Sequence, residues 1–194
     1  MCAYARVVLS PVDDKAFRAA LGRFASGVTV LTTVHDGTDH AITVSAFTSV
    51  SLDPPLVLVC VDTRNRLHDP LLASGVWGVS VLREQGVAAA TWLATRGREL
   101  SHQLDRVPHH RGENTGTALL DDALAWLECR TWRTYDGADH TIVVGEVVGG
   151  SIDAEADDPL LYHRSHYGAL VGWPVSEKDI GPFSPGPRTG SGGA

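Results

Sequence analysis

The chain has 194 residues, 43% of them apolar, with a formal net charge of −7 at pH 7 and a mean hydropathy of −0.02. That length suits one domain with a real core, and an acidic chain with only Lys15, Lys178 and no basic stripe argues against a nucleic-acid binder, which must neutralise phosphates. No apolar run reaches the roughly 18 residues that span a bilayer, and the start, MCAYARVVLSPVDDK, lacks the apolar stretch of a signal peptide.

The first expected element is a helix. Ser10-Pro11 followed by Asp13 and Asp14 supplies a hydroxyl cap, a proline in the first turn and acid beside it. Phe17, Ala20, Leu21 and Phe24 then share one face, and Gly27 is the expected stop. Alternation over 28–34, a turn at His35-Asp36-Gly37-Thr38 and a return over 41–50 predict a hairpin. Residues 56–61 are apolar throughout, as in a strand covered on both faces. Asp69-Pro70 opens a short helix ending near Ser74-Gly75, and 76–82 reads as a strand.

Residues 84–95 read as a helix with Val87, Ala90, Thr91 and Ala94 on one side and Gly97 beyond it. The stretch 97–117 has no period and many turn formers, so a long loop is expected. Long strands over 124–133 and 140–149 are joined through Tyr135-Asp136-Gly137, and 160–171 forms a last segment. From Gly181 the composition, GPFSPGPRTGSGGA, cannot bury apolar area and is expected to be disordered. The organisation expected is an arm (1–12), one domain (13–173) and a tail (174–194). Many strands, few helices and no regular strand–helix alternation predict a mainly β protein, an antiparallel barrel with a few capping helices. The cysteines, Cys2, Cys60 and Cys129, form no CxxC pair and suit reduced thiols in cytoplasm.

The run AITVSAFTSVSLDPPLVLVCV (41–61) is the most informative part of the chain. It places Thr43, Ser45, Thr48, Ser49 and Ser51 within nine positions, then Asp53-Pro54-Pro55 and an apolar strand. Small hydroxyls add little packing area but supply short donors and acceptors beside an approachable backbone, as a planar polar ligand needs. They serve equally as cross-strand Ser/Thr pairs. The residues alone thus indicate a ligand-binding antiparallel barrel. GxGxxG, GxxxxGK[ST], HExxH and GxSxG are all absent.

From about Phe17 to Leu170 the chain resembles the short-chain flavin reductases, which share the FMN-binding split β-barrel and supply reduced flavin to two-component monooxygenases. Besides 41–61, the resemblance rests on Val76-Trp77-Gly78-Val79-Ser80-Val81-Leu82, on Asp139-His140-Thr141 with Gly145-Glu146-Val147, and on Pro159-Leu160-Leu161-Tyr162 with Tyr167-Gly168-Ala169-Leu170. It implies an NAD(P)H:flavin oxidoreductase that uses FAD or FMN with NADH or NADPH. It further implies a cytoplasmic homodimer that releases reduced flavin to a separate oxygenase, without membrane or nucleic-acid partners. Such a site needs hydrogen bonds along the flavin, a phosphate anchor and one open ring face; it needs no metal.

The resemblance implies that Thr43, Val44, Ser45 and Ala46, continued by Ser49, Val50 and Ser51, line the flavin ring, with Cys60 on the strand beside them. Asp62, Arg64, Asn65 and Arg66 lie in the implied phosphate loop, although Asn65 and Leu67 stand where hydroxyls are common. The two arginines suit a phosphate or simply solvent. Ser80 is implied near the flavin, or equally in a plain core strand. His140 is implied to orient the nicotinamide, since a neutral imidazole offers one donor and one acceptor; no other residue is given a catalytic role. Tyr167 is an implied flavin or nicotinamide neighbour, and Arg164 fits a phosphate or a surface ion pair. Ala138 replaces the family's glycine before Asp139, and 97–117 departs from its usual K-F-x-G-V segment near the site mouth. His102, His109 and His110 in that segment match no standard metal spacing. Two other readings remain: a split-barrel protein doing other flavin chemistry on a dedicated metabolite, and a non-enzymatic cofactor carrier such as one for haem.

Overall fold

Asp36 and Gly37 both take left-handed backbone angles (φ 49° and 72°), the geometry of a two-residue hairpin turn whose twist matches the flanking strands. The computed structural model describes residues 12–154 and 158–170. The turn joins β2 (Thr29–His35) to β3 (Thr38–Val44), as the sequence predicts. Ser10, Pro11, Cys2, the arm up to 11 and the tail from 171 lie outside the described residues. Helix α1 (Asp14–Leu21) is capped by Asp13, whose carboxylate accepts from the Ala16 amide at 2.8 Å, and it ends at Gly22, before the expected stop. Its apolar stripe does not enter the core: Phe17, Leu21 and Phe24 are exposed, Phe24 at 77%.

The remaining elements are β1 (Ser26–Gly27), β4 (Phe47–Leu52), β5 (Pro55–Asp62), α2 (His68–Ser74), β6 (Val76–Leu82), α3 (Val87–Ala94), β7 (His109–Arg111), β8 (Ala118–Leu120), β9 (Ala123–Gly137), β10 (His140–Ile152), β11 (Leu161–His163) and β12 (His166–Gly168). Seven strands form one antiparallel sheet in the order β3-β2-β6-β9-β10-β5-β4. Its two outer strands, β3 and β4, are consecutive in the chain, so the expected single strand over 41–50 is two strands at opposite edges. Ser45-Ala46 joins them, and the Cys60 amide donates to the Ala46 carbonyl at 3.1 Å. A sheet whose first and last strands are tied this way must roll up. The result is an antiparallel split β-barrel with capping helices, open between β3 and the end of β5.

One buried cluster draws on β2, β5, β6, β9 and β10 at once (Leu31, Val59, Trp77, Val79, Cys129, Val143) and fills the space the rolled sheet encloses. A second packs Val30, Ala41, Ala90, Leu93, Leu104 and Leu120 between the sheet, α3 and the segment after it. Each is removed from water at roughly 25 cal/mol per Å² of apolar area. Strand β5 alternates: Val57, Val59 and Val61 are buried while Leu58 and Cys60 are only half-buried, so one face is less covered than expected. The expected helix over 84–95 is a 3₁₀ turn (Glu84–Gly86) followed by α3, whose buried residues are Ala90 and Leu93. An almost wholly apolar helix carries no stripe from which its inner face can be read.

The expected long loop contains β7 and the turn of a hairpin whose second strand, β8, begins just past it. Glu128 on β9 holds its turn, accepting from the Asn114 amide (2.9 Å) and side chain (2.9 Å) and from the Thr115 amide (2.7 Å) and hydroxyl (2.8 Å). Burial raises the Glu128 pKa, but these bonds outweigh it and leave the carboxyl below its usual value. Strand β9 runs through Tyr135-Asp136-Gly137, and the turn falls at Ala138-Asp139 instead. Burial, with Glu128 beside it, pushes the Cys129 thiol up to about 12. No helix among the described residues is long and apolar enough to cross a membrane.

Candidate functional site

A cleft of about 290 Å³ lies where the barrel is open. It is lined by His40, Ala41 and Ile42 of β3, by Asp62 at the end of β5 and 64–67 beyond it, and by the end of α3 with the segment after it (93–98 and Leu100). Four arginines (Arg64, Arg66, Arg96, Arg98) face it with one carboxylate, Asp62. A chain of net charge −7 thus concentrates positive charge on one opening, which draws in anions. Ile42, Leu67, Leu93 and Leu100 give the same cleft apolar walls. Cationic and apolar surface together suit an aromatic ligand that carries phosphate.

The expected phosphate loop is one of its walls. The Asp62 carboxylate accepts from Arg64 through the backbone amide (2.8 Å), Nε (3.1 Å) and a terminal nitrogen (2.9 Å). Hydrogen bonds from Arg64 hold Asp62 well below the usual carboxylate range, so it stays ionised. Asn65 accepts from the Leu67 amide at 2.9 Å and shapes the entry to α2. Arg66 reaches across the cleft to the Arg98 carbonyl at 2.6 Å.

Arg98, Arg96 and His40 escaped the sequence reading. Arg98 is half-buried and holds the segment after α3 against β3, donating to the carbonyls of Thr95 (2.9 Å) and Ala41 and to Gln103 Oε1 (3.1 Å). Burial, then the neighbouring Arg66, lowers its pKa. Burial, His35 and Arg66 likewise lower that of His40, against a smaller opposing pull from Asp39. Among the described residues the buried Arg98 Nε and His40 Nδ1 have no hydrogen-bond partner. The available signal was Arg-Gly-Arg directly after an expected helix, in the stretch that departs from the family pattern.

His140 stands opposite Asp62 in the β10–β5 ladder, with Nδ1 2.8 Å from Asp139 Oδ1. The Asp139 carbonyl accepts from the Thr63 amide (3.0 Å) and hydroxyl (3.2 Å), which ties the β9–β10 turn to the arginine loop. Behind it, His68 Nε2 lies 2.9 Å from the Thr141 hydroxyl. Ala138, which precedes this pair, has φ 67°, where an L side chain crowds its own carbonyl. Ala138→Gly is therefore expected to stabilise the fold by about 0.5 kcal/mol, after glycine's larger entropy loss. A melting curve checks this, and a lower melting temperature would contradict it.

The other expected site residues divide. Ser45 and Ala46 are exposed at the β3–β4 junction beside Cys60, next to Val44 and Thr43. The Thr43 hydroxyl donates to the Ala90 carbonyl at 2.7 Å and anchors α3. Ser49 is opposite Val57 on β5, so Ser49, Val50 and Ser51 run along the exposed β4 edge away from the arginines. Ser80 is wholly buried, its hydroxyl accepting from the Leu120 amide at 2.9 Å. Tyr167 packs on the second core cluster with its ring centroid 5.5 Å from that of Tyr162. His102, His109 and His110 go to three different partners: Asp105, the Val107 carbonyl and Asp121.

Residues 21–171 match the family described as flavin reductase like domain. The reductase component of the 4-nitrophenol 4-monooxygenase/4-nitrocatechol 2-monooxygenase of Rhodococcus opacus is 37% identical over 84% of this chain and 85% of its own. An NADH-dependent FAD reductase of Streptomyces globisporus is 41% identical over 73% of this chain and 78% of its own. Among solved structures, BorF, the flavin reductase component of a bacterial two-component tryptophan halogenase, superposes with a TM-score of 0.77 at 43% identity, covering 81% of this chain and 98% of BorF. The Streptomyces globisporus NADH:FAD oxidoreductase SgcE6, in complex with NAD and FAD fragments, gives 0.77 at 35% identity, covering 84% and 98%.

Proposed function

The chain belongs to the flavin reductase-like domain family, and we propose on that basis that it is an NADH-dependent flavin reductase supplying reduced flavin to a separate monooxygenase. The observation that carries this reading is the cleft in the barrel opening: four arginines, apolar walls, and two buried nitrogens, His40 Nδ1 and Arg98 Nε, without partners among the described residues. Unsatisfied buried polar groups are costly. A cationic site holding two of them fits a phosphorylated flavin, FAD or FMN.

Bound flavin supplies the hydride-accepting chemistry; the protein's part is positioning. Arg64 and Arg66 are assigned to the phosphate, with Arg98 at the same end of the cleft and Asn65 shaping the loop. Thr43, Val44, Ser45 and Ala46 offer backbone and hydroxyl groups to the ring, with Cys60 behind them, and Tyr167 is assigned to it from β12. Ser49, Val50 and Ser51 are assigned to the outer rim of the site. Ser80 supports the strand from within. His140, oriented by Asp139, offers its other ring nitrogen, Nε2, to the nicotinamide carboxamide. It acts by orientation, because proton delivery to reduced flavin can draw on solvent.

Loss of flavin fluorescence on titrating the purified protein with FAD or FMN tests the reading, and unaltered fluorescence with both would overturn it. His140→Ala is expected to raise the KM for NADH about tenfold, one hydrogen bond's worth, while flavin Kd stays within about twofold. Steady-state kinetics beside a flavin titration separates the two, and equal loss of both would make His140 structural.

A homodimer belongs to the same proposal. Its support is apolar surface on one chain: Leu52 at the β4 edge is 93% exposed, Ile152 on β10 is 76% exposed, and Trp132, Tyr135, Phe17 and Phe24 are also exposed. Light scattering on the purified protein checks it, and a monomeric mass would contradict it. A cytoplasmic location is proposed too, supported by the free thiols of Cys60 and Cys129.

A further inference from the structure

Among the described residues Asp62 is the one carboxylate on the cleft, and its position opposes the function of the loop that carries it. The loop's first arginine, Arg64, does not point free into the opening. Asp62 accepts from its backbone amide, Nε and a terminal nitrogen at 2.8, 3.1 and 2.9 Å. Arg66, two residues on, makes no ion pair among the described residues and lies against the Arg98 carbonyl. Behind Asp62, His140 occupies the facing ladder position and is held in turn by Asp139 at 2.8 Å.

We infer that Asp62 is an internal competitor for the flavin phosphate, a positioning residue that holds Arg64 in the phosphate's place and so keeps binding of phosphorylated flavin weak and release fast. The inference rests on the reading of 62–66 as the phosphate loop. A guanidinium presents the same planar fork to a carboxylate as to a phosphate, so the two compete for the same donors. A phosphate that reaches Arg64 must first displace Asp62 and then lie beside its negative charge. Only the difference between the two pairings contributes to affinity. Asp62 remains charged throughout the physiological range, so the competition is always present. An enzyme that hands its product to another protein gains from such a competitor, because tight binding would slow the transfer. The Arg64 side chain is 76% exposed and that of Asp62 26%, and solvent screening at the arginine makes the effect a few-fold one.

Asp62→Asn tests this, since asparagine keeps an acceptor for the Arg64 amide and removes the charge. FMN and riboflavin, which differ by the phosphate, are titrated against both proteins by fluorescence quenching. The expected result is FMN binding tightened roughly three- to fivefold in Asp62→Asn with riboflavin unchanged. Adding Arg64→Gln to Asp62→Asn should abolish the gain, and stopped-flow dilution should show slower FMN release from the single variant. If the wild type prefers FMN over riboflavin but Asp62→Asn binds FMN equally or more weakly, the competitor role is refuted and the proposed function stands. If the wild type does not distinguish the two flavins, the phosphate-loop assignment and this inference fail together. If it binds neither, the proposed function falls as well.

Discussion

Gly145→Ala is expected to cost about 3 kcal/mol and to lower the melting temperature by roughly 6–12 °C. A Cβ built on Gly145 would stand 2.2 Å from Trp77 Cζ2 and 2.8 Å from Cε2. The Trp77 ring is wholly buried among Leu31, Val59, Val79 and Val143 and has no free end to swing aside. Gly145 sits where the β9–β10 register shifts, and the space its missing Cβ leaves is filled by the indole of Trp77 from β6. The consequence reaches the site: β10 carries His140 five residues earlier, and the strand's seat on Trp77 sets which residue faces Asp62. Trp77→Phe makes room, so the alanine substitution should cost markedly less in that background. Differential scanning calorimetry of the four proteins checks this. An unchanged melting temperature in the single variant, or equal costs in both backgrounds, would contradict it.

Arg98→Met is expected to weaken FAD binding by roughly 30- to 100-fold, about 2–3 kcal/mol. Two losses combine. The cleft gives up a half-buried cation, and the acceptors Thr95 O, Ala41 O and Gln103 Oε1 lose the donor that clasps them together. The segment carrying Arg96 and Leu100 then has less to hold it on β3. Arg98→Lys restores the charge but not the planar fork, so it should recover only part of the affinity. Fluorescence titration with FAD measures both, and an Arg98→Met protein with wild-type affinity would show that this arginine does not serve the ligand.

Local chemistry explains what could be read from the chain. Asp36-Gly37 announces its hairpin because few residues tolerate two successive left-handed angles. Strand 76–82 and the short helix ending at Ser74 are bounded by residues whose backbone preferences are decisive. The resemblance at 41–66 named residues that the structure does bring to the cleft: Asp62, Arg64, Asn65 and Arg66. What remained hidden depends on partners rather than pattern. The return after the turn marks 41–50 as strand but is blind to the bend at Ser45-Ala46 that sends its halves to opposite edges. Arg98 lies in a stretch without period, and its principal partners are backbone carbonyls, which leave no trace in a sequence. The stripe of α1 reads as core-facing because amphipathicity reports that a face will be covered, not by what.

The most direct test of the whole account is NADH oxidation followed at 340 nm with and without added flavin. The account predicts negligible turnover by the purified protein alone and steady turnover once FAD or FMN is supplied in excess, with reduced flavin recoverable in the protein-free filtrate under anaerobic conditions. NADH oxidation that fails to respond to either flavin, or reduced flavin found only bound to the protein, would contradict it.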